Sequence, residues 1–500
     1  MNKIIAILLF LFLLFTSLAC GIIRRSICHE CSFDFACTLD GGRLLIDGYQ
    51  LEDGGVLIGS QYYKPYFASL GLYIFESAYR IWAQLPHLVL LVITHLSSIV
   101  VFSWIYRRSS NAWLACFLGL SVVFDFITRG SPWGGRVDAV PIFLVLSALC
   151  LLEYGSHFQD WKRWLMLGIA SFLSTISIFF WLTSMLFVFL LIPYTIETYV
   201  LDKKTEWRLL FTQESGRQLI RIACIAIPVF CLTVGVIAAL VPYSLIDALK
   251  ATPSFIASEQ TWKGSLSDRV INYIKYSRFS PQIYLLPFIT FVLCWRRCWI
   301  YVPFFAICMI LIFKTPVYPW RMIYLLPFCL LYLYFFITEW VQKQRMIIRK
   351  SATVFLILLM LGGFWYTVAR PTGLFILERE LWNTEQYETQ LAELNIDRII
   401  MPHDFLDYRF YLIGRKLDWK MYRLFTSKDD FEKVLDHLKG LSKDCQPKYA
   451  LLYKGHNHQN YLMQHGFELL YVINAPTKTI CGKERKNYYG SIEIWKRNNL

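Results

Sequence analysis

Residues 33–55 read FDFACTLDGGRLLIDGYQLEDGG. Asp34, Asp40, Asp47, Asp53 and Glu52 stand there among glycines and aromatics, directly after an apolar run over residues 4–22. A carboxylate at the centre of a bilayer costs about 2.5–3.5 kcal/mol on insertion scales. The acids therefore mark a chain that has left the hydrocarbon, and the run before them reads as a first membrane crossing.

Downstream the pattern repeats. Of 500 residues, 56% are apolar and only 17% charged, and the mean hydropathy is +0.43, too apolar for a large water-soluble enzyme. Apolar runs long enough to cross most of a hydrocarbon core as helices fall near 4–22, 86–105, 112–127, 138–154, 164–178, 180–198, 221–241, 282–295, 299–313, 322–338 and 351–368. The net charge of +14 is not a nucleic-acid footprint. Arg107/Arg108, Lys162/Arg163, Lys203/Lys204/Arg208, Arg296/Arg297 and Lys343/Arg345/Arg349/Lys350 occupy every second loop. That is the positive-inside arrangement for about eleven helices with the N-terminus inside and the C-terminal part outside, with Arg24 and Arg25 running against it. The first segment, ending in SLAC, also resembles an export signal, but its hydrophobicity and the bundle behind it suit an uncleaved crossing better.

Three features give the division of the chain: a membrane domain over 1–368, a long loop over 23–85 after the first crossing, and a water-soluble α/β domain over 369–500. In the loop, YFASLGLYIFESAYRIW carries only Glu76 and Arg80 as charges, as an interfacial or re-entrant helix would. In the C-terminal domain TEQYETQLAELN and SKDDFEKVLDHLKGL read as helices, DRIIMPHD as a strand and turn, KYALLYK as a strand, and NYLMQHGFELLYVI as helix into strand. No Gly-rich phosphate loop stands in the required strand–helix context, so no nucleotide site is assigned. Cys28, Cys31 and Cys37 in the loop and Cys445 and Cys481 in the tail allow disulfides on an oxidising side. The CHEC of residues 28–31 lacks a second ligand pair at zinc spacing, and His403, His456, His458 and His465 are too irregularly spaced for a metal site.

On its motifs the sequence resembles the GT-C superfamily of integral-membrane glycosyltransferases, the bacterial lipid A aminoarabinose transferases and protein mannosyltransferases above all. In that pattern an Asp follows the first helix, an Arg with leucines precedes a Gly, and a Lys-Pro comes about thirty residues after the Asp. Asp34 matches the Asp, Arg43 with Leu44, Leu45 and Gly48 the middle, and Lys64-Pro65 the Lys-Pro. GGRVDAVPIFLVLSALCLL is similar to the family's Arg-Pro-Asp before an apolar helix, with Arg136 and Asp138 as the pair and Val137 in place of Pro. TPVYPWRMIYLLPF is similar to a late outer loop whose basic residue would be Arg321. Phe35 replaces the Glu usual after the Asp, and Asp40, Asp47 and Asp53 compete with Asp34.

The resemblance implies a polytopic all-α membrane protein of GT-C type with a small extracytoplasmic α/β domain. It implies inverting transfer of a sugar from a polyprenyl-phosphate carrier to a hydroxyl of a glycan, lipid or protein outside a bacterial inner membrane, in the cell envelope. Asp34 would be the base or acceptor orienter and Asp138 a second carboxylate. Arg321 and Arg136 would meet the carrier phosphate, with Lys263, Arg269 and Arg278 in reserve. Arg43, Lys64 and Pro65 would shape the substrate loop, and the lipid tail would lie along ISIFFWLTSMLFVFLL. No cofactor is expected beyond the lipid-linked donor, and a divalent cation and the oligomeric state stay open.

Each of these residues also has a plainer reading. Asp34 could be a solvated loop acid, Asp138 a helix-start carboxylate, Arg321 beside Trp320 an interfacial anchor, and Lys64-Pro65 the start of a helix. A lipid or glycan flippase would instead place ionisable groups at the midplane, where only Asp125 comes close. A polysaccharide polymerase would concentrate Arg and His in late outer loops.

Overall fold

The computed structural model describes residues 2–27, 39, 41–43, 45–46, 69–125, 137–203, 207–250, 265–277, 280–294, 300–314, 319–402, 413–417, 419–424, 446–455, 459–480, 482–488 and 490–498. Among them, eight helices are long and apolar enough to cross a membrane. Three shorter ones complete the bundle. The order is α1 Asn2–Ile27, α2 Leu70–Ile81, α3 Leu85–Ser109, α4 Ala112–Val123, α5 Ala139–Ser156, α6 Trp161–Phe180, α7 Thr183–Val200, α8 Gln213–Leu240, α9 Leu266–Ser277, α10 Pro281–Cys294, α11 Val302–Lys314, α12 Ile323–Lys343 and α13 Met346–Gly373. Every apolar run expected to cross is thus a helix, with α4, α10 and α11 the short members and α2 and α9 lying in the connecting segments.

Side-chain size and polarity sort the helices into a centre and a rim. The central α12 is 72% buried, whereas α8 is 11% buried and presents Ile220, Ile227, Leu232 and Leu240 outward. No water-soluble protein exposes such continuous apolar faces, so the rim is solvated by lipid tails. Local chemistry fixes the ends of helices. Asn111 accepts from the Leu114 N–H at 3.1 Å to start α4, Asp160 from Lys162 at 3.1 Å to start α6, and Thr212 from Ser215 at 3.2 Å to start α8. Each side-chain oxygen satisfies one otherwise orphaned amide.

After α13 the composition turns polar and a small module forms from α14 Glu385–Glu393, β1 Arg398–Pro402, β2 Lys420–Leu424, β3 Tyr449–Tyr453, α15 Gln459–Gln464, β4 Phe467–Ile473, β5 Thr477–Ile480, β6 Lys483–Lys486 and β7 Ile492–Arg497. The sheet order is β2-β1-β3-β7-β4, parallel through β1, β2 and β3 and antiparallel at β7 and β4, with β5 and β6 a separate hairpin. Its core is continuous with the bundle: Phe75, Leu90 and Val137 join Leu391, Ile399 and Leu451 in one buried cluster.

Candidate functional site

Asp138 sits at the start of α5 and is fully buried. At that position a carboxylate ordinarily caps the helix amides, but Asp138 makes no side-chain cap bond. Its Oδ1 instead accepts from the Tyr324 hydroxyl at 2.5 Å. Tyr324 lies on a 3₁₀ turn, Ile323–Leu325, that opens α12, and its ring packs 5.4 Å from that of Phe187 near the start of α7. Three residues earlier the short helix Pro319–Met322 carries half-buried Arg321 at the same end of the bundle. A charge held in so dry a place interacts far more strongly with a neighbouring ion than it would in water.

Beside this pair the end of the bundle is tied by polar contacts. Ser280 donates to the buried Asp125 carboxylate, Gln282 Nε2 donates to the Ser121 carbonyl at 3.1 Å, and the Tyr273 hydroxyl donates to the Ile283 carbonyl at 2.7 Å. Arg269 on α9 donates from Nη1 to the Phe313 carbonyl at 2.5 Å. That carbonyl belongs to the last turn of α11, where backbone oxygens lack helical partners and a cation is favoured. One arm of Arg269 therefore serves as a helix clamp. Asp125, placed by the sequence as the acid nearest the midplane, is a partnered group at the C-terminal end of α4.

The first long loop reaches this end through α2. Glu76 is fully buried, accepting from Arg80 Nε at 3.0 Å one turn on and from Arg415 Nη2 of the C-terminal module at 3.0 Å. The helix that reads as interfacial or re-entrant is covered by protein on its Glu76 side. The cause is the guanidinium from the module, which makes burial of that acid affordable.

At the opposite end of the bundle a denser cluster lies about 22 Å away, fifteen residues along α5 at 1.5 Å each. Arg108, at the end of α3, donates from Nη1 to Glu153 Oε2 at 2.9 Å and from Nη2 to Glu197 Oε1 at 2.6 Å. Tyr194 donates to Glu153 at 2.6 Å and accepts from Trp104 Nε1 at 2.6 Å, and Tyr301 donates to Glu197. Lys203 reaches Glu153 Oε1 at 2.5 Å from a turn in which Asp202 and Lys203 both have positive φ, 48° and 62°. Left-handed backbone at two consecutive non-glycine residues costs about 1–2 kcal/mol each. In the sequence Arg108 stands out only as a topology marker, and neither glutamate carries a motif. A lone acid inside an apolar run, as Glu197 is in IPYTIETYV, was the available signal, since such a group requires a partner.

Of the sequence-derived site residues, Asp138, Arg321, Arg269 and Arg43 are described. The structure gathers Asp138 and Arg321 at one end, and Arg43 lies half-buried in a short helical stretch packed on α2. Asp34, Asp40, Asp47, Asp53, Lys64, Pro65, Arg136, Lys263 and Arg278 lie outside the described residues, as do Cys28, Cys31, Cys37, Cys445, Cys481, His403, His456 and His458. His465 places Nδ1 2.8 Å from the Tyr461 carbonyl within the same helical turn. Among the described residues no three His, Cys, Asp or Glu side chains converge as metal ligands would. Within the stretch expected to line a lipid tail, Phe179, Phe180, Phe187 and Leu190 are core residues, whereas Met185 is exposed. A lateral apolar groove of about 620 Å³ does exist between α9, α10 and α13, lined by Ile271, Ile274, Lys275, Tyr284, Phe355 and Leu359.

No family model matches the sequence, and no curated protein matches it. Among solved structures the chain is similar to ArnT from Cupriavidus metallidurans bound to undecaprenyl phosphate, with a TM-score of 0.56 and 13% identity, covering 97% of this chain and 97% of that one. It is likewise similar to ArnT from Cupriavidus metallidurans in the apo state, with a TM-score of 0.54 and 13% identity over 96% and 97% of the two chains. At such identity the likeness is one of fold. The polytopic bundle and its C-terminal β region follow the architecture of ArnT along nearly the whole chain.

Proposed function

We propose that the protein is a polyprenyl-phosphate-dependent glycosyltransferase acting at the end of the bundle that holds Asp138, on the outer face of a bacterial inner membrane. The observation that carries this reading is a wholly buried carboxylate at a helix start that does not cap its helix, held by Tyr324 beside Arg321, in a fold whose ArnT example is bound to undecaprenyl phosphate.

In the proposed reaction the acceptor hydroxyl oxygen attacks the anomeric carbon as the carbon–oxygen bond to the carrier phosphate breaks. The bonding electrons leave on the phosphate oxygen, and the hydroxyl proton passes to a carboxylate. Asp34 is assigned as that base, and Asp138 orients the acceptor or steadies the positive charge that builds on the sugar. No acid is needed at the leaving group if cations meet it. Arg321 and Arg136 are assigned that task, with Lys263 and Arg278 in support; Arg269 contributes only what its clamp on Phe313 leaves over. The groove between α9, α10 and α13 suits an isoprenoid chain, with Lys275 at its side.

The test is a set of undecaprenyl-phosphate sugars offered together with envelope lipid and glycan acceptors to the purified chain in nanodiscs, with release of undecaprenyl phosphate followed by mass spectrometry. Asp34→Asn and Asp138→Asn are each expected to abolish release while inserting and folding normally. Unchanged release by well-folded D34N would remove the assignment of the base, and release by none of the sugars with wild type would remove the reaction.

A further inference from the structure

We infer that the C-terminal module is a positioning element for the first outer loop, acting through one buried ion pair, Arg415 with Glu76; its bearing on catalysis rests on the glycosyl-transfer reading. Glu76 is wholly buried and the Arg415 side chain is 17% exposed, so their contact is shielded from solvent and salt. Both guanidinium nitrogens of Arg415 face the carboxylate, Nη2 to Oε1 at 3.0 Å and Nη1 to Oε2 at 3.3 Å. The same guanidinium stacks 4.6 Å from the centre of the Tyr79 ring on α2. This two-point, stacked geometry is the one Arg provides and Lys does not.

The contact does not stop at α2. A Cβ at Gly42, in the first loop, would overlap the Leu72 carbonyl oxygen and stand 2.5 Å from Glu76 Cβ. The backbone of the loop therefore rests directly on the residue that Arg415 holds. Gly42 belongs to the Asp-rich stretch and neighbours Arg43. On its other face α2 is braced by the bundle: Gly71 lies against the Phe180 carbonyl, and the Phe75 and Phe180 rings meet edge-on at 6.0 Å. With Arg415 in place, loop, α2 and bundle have one arrangement. Without it a buried carboxylate is left to the exposed-side Arg80, and α2 gains a reason to move.

The test uses the full chain in nanodiscs and hydrogen exchange, with peptides spanning 39–46, 70–81, the C-terminal module and the α5 end that holds Glu153. Arg415→Met and Glu76→Gln are each expected to speed exchange at 39–46 and 70–81 about tenfold, with the Glu153 peptide unchanged. The double variant should be no faster than either single one, as coupled partners require. Arg415→Lys, which restores charge without the fork, should recover part of the protection. Undecaprenyl phosphate as probe should bind R415M about tenfold more weakly than wild type, in step with the loosened loop. Faster exchange confined to the C-terminal module, or wild-type exchange at 39–46 in R415M, overturns the inference. Should R415M unfold globally, R415K decides, and wild-type exchange at 39–46 in that variant overturns it. A wild type that binds no undecaprenyl phosphate while the loop still loosens supports the coupling and removes the functional reading instead.

Discussion

Arg108 and Glu197, eighty-nine residues apart in sequence, meet at 2.6 Å in the interior of the bundle, and the other arm of the same guanidinium holds Glu153 at 2.9 Å. One cation thus fastens α3, α5 and α7 at a single point, with the Tyr194 and Phe335 rings 5.1 and 5.4 Å from its centre. Removing it strands two buried carboxylates. Arg108→Met is expected to lower stability by about 3–5 kcal/mol, the usual cost of breaking a buried pair from one side. Arg108→Met combined with Glu153→Gln and Glu197→Gln should recover most of that loss. Chemical unfolding in detergent measures both, and equal stability of R108M and wild type would show that the cluster carries no fold energy.

Tyr324 gives Asp138 a hydrogen bond in a place from which water is excluded. Tyr324→Phe keeps the ring against Phe187 and deletes only the hydroxyl. Stability should fall by about 1–3 kcal/mol, since a buried acceptor loses a donor. Under the proposed reaction, transfer should drop roughly hundred- to thousandfold, the usual loss when one positioned donor is removed. Rates for Y324F within twofold of wild type would detach Tyr324 from the site.

The contrast between these two clusters explains what the sequence discloses. Crossings are legible because each is a local apolar run, and all eleven runs became helices. Asp138 is legible as an acid between a Gly-rich stretch and an apolar helix. Tyr324 is one of thirty tyrosines, and nothing local separates it from the rest. Arg108 finds its glutamates forty-five and eighty-nine residues away, a pairing set by helix packing that no spacing rule encodes. In the C-terminal module, helix α14 and strands β1, β3 and β4 are read from periodicity. The interior β7, from IEIWKR, and the edge β2, from KMYRL, escape it because adjacent apolar residues, Ile494-Trp495 and Met421-Tyr422, and charges at the strand ends leave no sustained alternation.

Gly362 and Gly363 on α13 are adjacent and differ completely in surroundings. A Cβ at Gly363 would lie 2.7 Å from the Phe124 carbonyl oxygen at the end of α4, whereas one at Gly362 would meet nothing within 4 Å. Gly363→Ala should therefore cost about 1–3 kcal/mol by forcing the two helices apart. Gly362→Ala should be neutral or gain up to about 1 kcal/mol of helix propensity. Thermal unfolding of the two variants side by side tests the packing of α13, and equal effects would refute it.

The charged cluster around Arg108 and the Asp138 pair lie at opposite ends of the bundle, so a single topology assignment fixes both. Basic residues crowd the Arg108 end, where Arg163 also donates to the Tyr199 carbonyl at 2.8 Å, Lys203 lies in the turn after α7 and Arg345 occupies the N-cap position of α13. A phosphatase or fluorescent reporter fused after residue 350 is expected to report the cytoplasm, and one after residue 480 the outside. The reverse result for residue 480 would place the candidate site on the wrong face for the proposed reaction.

Tyr387 on α14 is fully buried, and its hydroxyl donates to the Gly490 carbonyl at 2.7 Å, joining the start of the C-terminal module to the backbone just before its last strand. Burial pushes the phenol up to about 12, from an ordinary value near 10. The folded module thus favours the protonated phenol more strongly than the unfolded chain does. Its contribution is complete below pH 10, where both states are protonated, and declines as pH rises from about 10 through about 12, where the unfolded state alone has already lost its proton. Tyr387→Phe should be less stable than wild type at pH 8, by about 1 kcal/mol for the lost hydrogen bond. Because phenylalanine cannot ionise, the gap should close at about pH 11 and reverse in sign by about pH 12, where the wild type has lost about 2 kcal/mol. Thermal unfolding of the two proteins between pH 8 and 12 gives the difference directly, free of the lysines and other tyrosines that titrate in both; a gap that stays constant across that range would mean the phenol ionises alike in the folded and unfolded chain.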